Sequence, residues 1–226
     1  MSAVACNDAK LCVNCPAPHT IKHHYQIITV NIEYMSSANN LNHKLQKDAD
    51  ALLENLNLVK ILSKFGRAEI GGSYIYGTMV DEDIDIVVIV KSENFSYELR
   101  QLIMEVLLKL NNLDGIAMTD RYHHQKMGAP KGFWFGPLII FNQSKWNIDI
   151  WFVTENEKLS HHNSSLHKRM LNISEKQRQT ILQIKYDALK SNLKEKGKTS
   201  SEIYYAVLDE GASNLKDFLE YKKTKN

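Results

Sequence analysis

The sequence predicts an α+β (α/β-like) fold, in which helices flank a mixed central sheet and a helical region follows at the C-terminus. An unbroken β-branched run, Ile86–Val90, is typical of a strand covered on both faces. The apolar run Asn147–Val153 predicts a second strand of the same sheet. Apolar residues recur at helical spacing over Asp48–Phe65 and Tyr97–Leu110, which predicts two helices packed on that sheet.

The first predicted helix ends at Gly66, as helices commonly do, and leads into a short strand, Ala68–Ile70. Gly71 and Gly72 follow, and because glycine has no Cβ they let the backbone approach a ligand closely. Ser73 stands near the start of a short helical turn, where unpaired N–H groups attract phosphate. This glycine-serine turn is therefore a candidate seat for a triphosphate.

Two carboxylates, Asp83 and Asp85, enter the β-branched strand at its start. Alternate residues of a strand point to the same side, so the pair shares one side at about 6.5–7 Å between backbones. At about 5 Å and an effective dielectric near 20, two carboxylates repel by roughly 3 kcal/mol, and burial adds a desolvation cost. A cation is therefore expected between them. Asp81 and Glu82 precede the apolar run and are interpreted as turn residues.

A third carboxylate, Asp149, interrupts the apolar strand Asn147–Val153. Neighbouring strands lie about 4.8 Å apart, so Asp149 can face the pair. The alternatives are Asp114, which lies in a turn-like sequence, and Asp120, which precedes a basic and polar run. Carboxylates on rigid strands suit Mg²⁺ or Mn²⁺, and two such ions about 3.5–4 Å apart would clamp the attacking and leaving oxygens of an in-line displacement.

The motifs Ile70–Ser73, Asp83–Ile86 and Ile148–Ile150 together resemble the DNA polymerase β-like nucleotidyltransferase superfamily. The pattern of that superfamily is a hydrophobic residue, Gly-Gly or Gly-Ser, a spacer, two acids separated by one hydrophobic residue, and a separate third acid. The resemblance covers about residues 48–154. It implies a nucleotidyltransferase fold for that part of the chain.

The resemblance also implies the roles of the site residues. Asp83 and Asp85 would hold both divalent ions, and Asp149 would hold the catalytic ion with them and help to deprotonate the acceptor hydroxyl. Gly72 and Ser73 would hold the triphosphate of an NTP, with ATP favoured. The expected reaction moves an NMP to an acceptor hydroxyl and releases pyrophosphate.

The acceptor is not fixed by the resemblance, because the superfamily modifies antibiotics, proteins and RNA ends. A small molecule or a protein side chain is preferred, since the chain has 226 residues and a net charge of only +2. The alternative is an RNA 3′ end, for which the lysines of Lys185–Lys198 and Lys222–Lys225 are the supporting feature. A further alternative is a non-catalytic binding partner or antitoxin.

The segment Arg121–Gly136 is interpreted as a loop, rich in basic residues and glycine, that ends in aromatic residues. The first interpretation is a solvated connection with an aromatic anchor. The functional alternative is a mobile element that brings cations to the phosphates, in which Lys131 is the first candidate for a phosphate contact. Ile116–Tyr122 before the loop is a possible strand. The apolar run Pro137–Phe141 after it predicts a hairpin with the strand of Asp149.

Past Glu155 the sequence becomes polar and helical. His161, His162 and His167 are expected to be exposed in a linker rich in serine and asparagine. Ser174 stands three residues before a glutamine, which predicts a capping box at the start of a helix. The helices predicted here are Ser174–Leu193, Ser201–Leu208 and Leu215–Tyr221.

Three regions are therefore expected: a leader over residues 1–34, a catalytic domain over 35–157 and a helical region over 158–226 that packs on or near the active cleft. Met35 is a candidate start of the folded domain. In the leader, cysteines and a histidine have a spacing that permits a Cys₃His zinc site, with an unstructured leader as the alternative; they are Cys6, Cys12, Cys15 and His19. No membrane segment or signal sequence is recognised, and the expected location is cytoplasmic.

Overall fold

The computed structural model describes residues 19–91, 97–110, 112–120, 131–157, 165–191, 193 and 199–225. Residues 37–226 form one compact unit, so the predicted catalytic and C-terminal regions lie in the same unit. Residues 1–36 form a second unit, whose described part is helical. The cysteines of the zinc hypothesis, Cys6, Cys12 and Cys15, lie outside the described residues, so the hypothesis is not tested by the structure.

Five strands form one mixed sheet: β1 (Arg67–Ile70), β2 (Asp83–Val90), β3 (Leu113–Asp120), β4 (Phe133–Phe141) and β5 (Ser144–Thr154). Their order across the sheet is β1-β2-β5-β4-β3. β2 and β5 run parallel, and the other neighbouring pairs are antiparallel. The predicted mixed sheet of an α+β fold is confirmed.

The helices of the described chain are α1 (His19–Asn55), α2 (Leu58–Leu62), α3 (Gly72–Tyr76), α4 (Tyr97–Leu107), α5 (Ser165–Leu171), α6 (Glu175–Lys190), α7 (Thr199–Asp209) and α8 (Leu215–Lys225). None of them combines the length and the apolar character that crossing a bilayer requires.

The first predicted helix differs from the observed one at both ends. α1 begins at His19, well before the predicted Asp48, and ends at Asn55. Asn57 then adopts a left-handed conformation with φ 50°, which asparagine tolerates better than most residues, and α2 begins after it. The spacing of apolar residues did not reveal this break, because Leu52 before it and Leu58 after it reach the same core.

The β4–β5 hairpin is confirmed, but β4 begins earlier than predicted. Phe133, Trp134 and Phe135, interpreted as the end of a loop, belong to the strand. The reason is that Phe133 and Phe135 alternate into the core, where each is at most 4 % exposed. Residues 121–130 of the predicted loop lie outside the described chain.

The sheet is covered unequally on its two faces. Ile84 and Ile86 of β2 are fully buried and share a core with Leu52 of α1 and Ile103 of α4. The opposite face of β2 is only half-buried at the start of the strand. The predicted burial of Ile86–Val90 is confirmed except at Val87, and the accessible positions of this face lie mainly before that run.

The C-terminal helices form a second hydrophobic core, which includes Met170 of α5, Ile181 of α6 and Phe218 of α8. The predicted capping box of α6 is confirmed, because Ser174 and Gln177 hydrogen-bond reciprocally at its first turn. His161 and His162 lie outside the described residues. His167 lies on helix α5 and contacts α3, so it is not part of an exposed linker.

Candidate active site

The three predicted carboxylates lie on the two central parallel strands. In the register of β2 and β5, Asp85 is directly opposite Asp149, and Asp83 is opposite Asn147. Residues at alternate positions share a face, so all three carboxylates lie on the half-buried face of the sheet. The structure thus brings Asp149 to Asp83 and Asp85, which precede it by more than sixty residues in the chain.

Asp85 is the most perturbed group of this face. Burial is the largest cause that raises its pKa, to about 7, and the neighbouring charges of Asp83 and Asp149 raise it further, whereas Lys185 opposes them. A carboxyl group with this pKa is largely protonated below neutral pH unless a cation compensates its charge. The face is therefore short of positive charge.

The other two carboxylates accept hydrogen bonds from side chains. Asn147 donates its Nδ2–H to Asp83 Oδ1 over 2.6 Å. Trp134 of β4 donates its indole Nε1–H to Asp149 Oδ1 over 3.2 Å. Burial raises the pKa of Asp149, and the hydrogen bonds from Asn147 and Trp134 oppose that rise.

The glycine-serine turn lies directly beside Asp85. The N–H of Gly71 donates to the Asp85 carbonyl oxygen over 2.8 Å. Gly72 has φ 62°, and a Cβ at this position would lie 1.8 Å from Asp85 Oδ2. Glycine is required at position 72 both by this conformation and by the close approach of the Asp85 carboxylate. The missing Cβ therefore leaves room for a carboxylate of the site, and not only for a ligand.

Ser73 is held by a lysine from the C-terminal helices. Lys185 of α6 is 0 % exposed, and its Nζ donates to Ser73 Oγ over 2.8 Å and to the Thr78 carbonyl oxygen over 2.7 Å. The Lys185 ammonium also lies 5.7 Å from the ring centroid of Tyr204. These contacts satisfy a buried cation next to the turn and next to Asp85.

Lys185 was not predicted to be a site residue. It was considered only as part of a lysine cluster that would support RNA binding. A signal for it exists in the sequence. Lys185 lies four residues after Ile181 and three before Ala188, both buried, so it occupies an apolar stripe of α6. A lysine in such a stripe needs a buried partner, but the partner cannot be named from the helix alone.

The structure does not bring Lys131 to the carboxylates. Lys131 is exposed and stands just before β4, whose Phe133 pairs with Phe152 of β5. Lys131 is therefore about five strand positions beyond Asp149, or roughly 16 Å at 3.3 Å per residue. Its N–H donates to Glu157 Oε2 over 3.1 Å, at the end of the sheet away from the carboxylates.

The alternatives for the third acid are strand residues, not turn residues. Asp114 and Asp120 both lie on β3, an edge strand separated from β5 by β4. The Asp114 carboxylate forms an ion pair with Lys145, with 2.7 Å between Oδ2 and Nζ. Their distance from β2, and not a lack of rigid structure, is what separates them from Asp83 and Asp85.

An open groove of about 510 Å³ lies beside the carboxylates, and its lining includes Asp83, Asp149, Trp134, Leu138 and Lys145. This volume is within the usual range for sites that bind small molecules. Among the described residues, no three His, Cys, Asp or Glu side chains are spaced as a ready-made metal site.

The expectation that His167 is exposed is wrong. Its Nδ1 lies 2.6 Å from the hydroxyl of Tyr76, at the end of α3, and the residue is half-buried. This contact joins α5 to the helical turn that follows Ser73. The C-terminal helices therefore contact the end of α3 through His167 and Ser73 at its start through Lys185.

The chain is similar to three solved structures at low sequence identity. A cytoplasmic RNA terminal U-transferase superposes with a TM-score of 0.50 and 18% identity, over 78% of this chain and 53% of that structure. The Cid1 poly(U) polymerase, with Mg 3′-dATP bound, gives 0.46 and 19%, over 70% and 48%. The GLD-2–GLD-3 poly(A) polymerase complex gives 0.48 and 14%, over 80% and 60%.

These matches concern the fold, because their identities are low. The chain has the nucleotidyltransferase fold, as its motifs predicted, and spans about half of the U-transferase structure, 53%. No protein-family model matches the sequence, and no curated protein does.

Proposed function

We propose that this protein is a metal-dependent nucleotidyltransferase, which moves an NMP from an NTP to an acceptor hydroxyl and releases pyrophosphate. One observation carries the proposal: Asp83, Asp85 and Asp149 share a half-buried face, and Asp85 lies against the turn of Gly72 and Ser73. Carboxylates, which are proposed to bind cations, thus lie beside a turn that is proposed to hold phosphate. The nucleotidyltransferase fold supports the same reaction class.

The chemistry of the donor set suits Mg²⁺ or Mn²⁺, although the three side chains are not spaced as a ready-made metal site. Three carboxylates on two adjacent strands offer the hard oxygen ligands that these ions prefer. Burial, and after it the charges of the neighbouring carboxylates, raises the pKa of Asp85, and a divalent cation would favour its ionised form. When bound, divalent ions neutralise charge that develops on the attacking and leaving oxygens. Asp83, Asp85 and Asp149 are the residues proposed to hold them.

The triphosphate is assigned to the glycine-serine turn and Lys185. Gly71 and Gly72 allow close approach of the backbone, and Ser73 Oγ already accepts a hydrogen bond from Lys185 Nζ. A lysine behind the serine adds positive charge where phosphate oxygens would lie, and charged hydrogen bonds of this kind are among the strong ones. ATP is the first nucleotide to test.

In the proposed reaction, the acceptor hydroxyl oxygen attacks the α-phosphorus of the NTP. A P–O bond forms there, the bond from the α-phosphorus to the bridging oxygen breaks, and pyrophosphate leaves with that electron pair. The hydroxyl proton passes to Asp149, whose pKa is raised by burial and is thus closer to that of an effective base.

The acceptor is proposed to be a small molecule or a protein side chain. The groove beside Asp149, about 510 Å³, has the size of a small-molecule site. Its lining combines carboxylates with Trp134 and Leu138, and the cation in it, Lys145, is paired with Asp114. An RNA 3′ end is the alternative acceptor, and the test below distinguishes it.

The test incubates the protein with α-³²P-labelled NTPs and Mg²⁺, first alone and then with fractionated cell extract divided into small-molecule, protein and RNA pools. We expect pyrophosphate release and label in the small-molecule or protein pool. Asp83→Asn is the matched control and should abolish both. Label confined to RNA would support the alternative acceptor, and absence of Mg²⁺-dependent pyrophosphate release in every pool would refute the enzymatic proposal.

A further inference from the structure

Trp134 contacts the third carboxylate, although the transfer proposed above gives it no role beyond lining the acceptor groove. It lies on β4 opposite Trp151 of β5. Diagonal neighbours across an antiparallel pair are within reach of long aromatic side chains, and Asp149, two residues before Trp151, is such a neighbour. The indole Nε1–H of Trp134 donates to Asp149 Oδ1 over 3.2 Å.

The three carboxylates differ in what restrains them. Asp85 is confined by the backbone of Gly72, on which a Cβ would collide with its carboxylate. Asp83 accepts a 2.6 Å hydrogen bond from Asn147. Asp149 borders the groove, and Trp134 approaches it from the next strand. Without the indole N–H, the Asp149 side chain would keep only the hydrogen bond from Asn147 of its own strand and would lose the restraint from β4.

We propose that Trp134 is a positioning residue for Asp149, an inference that rests on the proposed function. Its N–H holds one carboxylate oxygen, so the carboxylate meets a divalent ion and the acceptor hydroxyl in one orientation. The Trp151 ring lies beside the indole, with 6.4 Å between the ring centroids. Partners that orient metal-binding side chains commonly contribute about 10- to 100-fold to metal affinity or activity.

Trp134→Phe tests this directly, because it keeps an aromatic ring and removes the N–H. Trp151→Phe is the matched control, since it alters the adjacent ring and leaves the hydrogen bond to Asp149 in place. Mn²⁺ affinity is measured by electron paramagnetic resonance, and kcat and KM for the NTP by pyrophosphate release. For Trp134→Phe we expect about tenfold weaker Mn²⁺ binding and about tenfold lower kcat, with KM within about twofold; Trp151→Phe should stay within about twofold throughout.

A second variant separates the hydrogen bond from packing. Benzothienylalanine at position 134 keeps the bicyclic ring and replaces the N–H by sulfur, so it preserves the fold and should show the same losses as Trp134→Phe. Wild-type Mn²⁺ affinity and kcat in this variant, or equal losses in Trp151→Phe, would overturn the inference alone. A wild-type protein that binds no Mn²⁺ and releases no pyrophosphate would overturn the proposed function, and the inference with it.

Discussion

The two faces of the β2–β5 pair differ in chemistry, although alternate residues of the same two strands build both. One face is apolar at its centre, where Ile84, Ile86, Ile148 and Ile150 lie. Each of these isoleucines is 0 % exposed and belongs to the main core. The other face is half-buried and carries Asp83, Asp85 and Asp149.

The comparison shows that neighbouring residues of one strand have opposite effects on the fold: one stabilises it by apolar burial, and the next carries a charge that opposes burial. Burial of an isoleucine side chain stabilises the fold by about 1.5–3 kcal/mol, whereas burial of clustered carboxylates opposes folding. The apolar face must therefore offset the acidic one. Proteins commonly keep such a locally unfavourable arrangement where it serves a site.

The sharpest test of this comparison is a pair of adjacent substitutions on opposite faces. Asp85→Asn should lower turnover by more than about 100-fold, which exceeds the loss expected when a residue that only orients a metal ligand is changed. The same substitution should leave stability unchanged or raise it. Ile86→Ala should instead lower the free energy of unfolding by about 2–5 kcal/mol. Pyrophosphate release and urea denaturation measure the two effects. Turnover in Asp85→Asn within about threefold of wild type would contradict the assignment of the acidic face.

Removal of the cation behind the turn should have the next largest effect. Lys185→Met keeps a long apolar side chain but removes a charged hydrogen-bond donor, so NTP affinity should fall about 10- to 100-fold, the equivalent of about 1.5–3 kcal/mol. Isothermal titration calorimetry with a non-hydrolysable NTP measures it. Lys190→Met, an exposed lysine of the same helix, is the control and should change affinity less than twofold or so. Equal affinities in the two variants would show that Lys185 is only structural.

In EDTA, stability should fall as the pH rises from about 4 to about 7. The pKa of Asp85 in the folded protein is about 7, whereas an unfolded aspartate titrates near about 3.9. Between these values the folded state retains a proton that the unfolded state has released, so this group lowers stability by up to about 1.4 kcal/mol per pH unit. Urea denaturation across this pH range measures the slope, and Asp85→Asn should make it shallower. An identical slope in both proteins would refute the assignment of the raised pKa to Asp85.

The smallest effect is expected at Lys131, far from both the turn and the carboxylates. Lys131→Ala should leave NTP affinity and kcat within about twofold of wild type, because its side chain lies at the other end of the sheet. Calorimetry and pyrophosphate release apply again, with Lys185→Met as the positive control. A loss of tenfold or so in affinity would show that Lys131 reaches the nucleotide.

The sequence by itself determined which residues share a face and where local signals act. A strand repeats every two residues, so the placement of Asp83 and Asp85 away from the isoleucines followed from alternation with the apolar run. The capping box of Ser174 and Gln177 is likewise a short-range contact, readable from four consecutive residues. Such features need no knowledge of the rest of the chain.

Only the tertiary structure decided which distant residues meet the acidic pair. The register of β2 and β5 sets Asp149 opposite Asp85, while the strand order leaves Asp114 at the far edge. The packing of α6 carries Lys185 to Ser73, 112 residues away in sequence. Strand order and helix docking depend on the packing of the whole core. Hydrophobic periodicity shows which side of a strand or helix is buried, but not which element packs against that side.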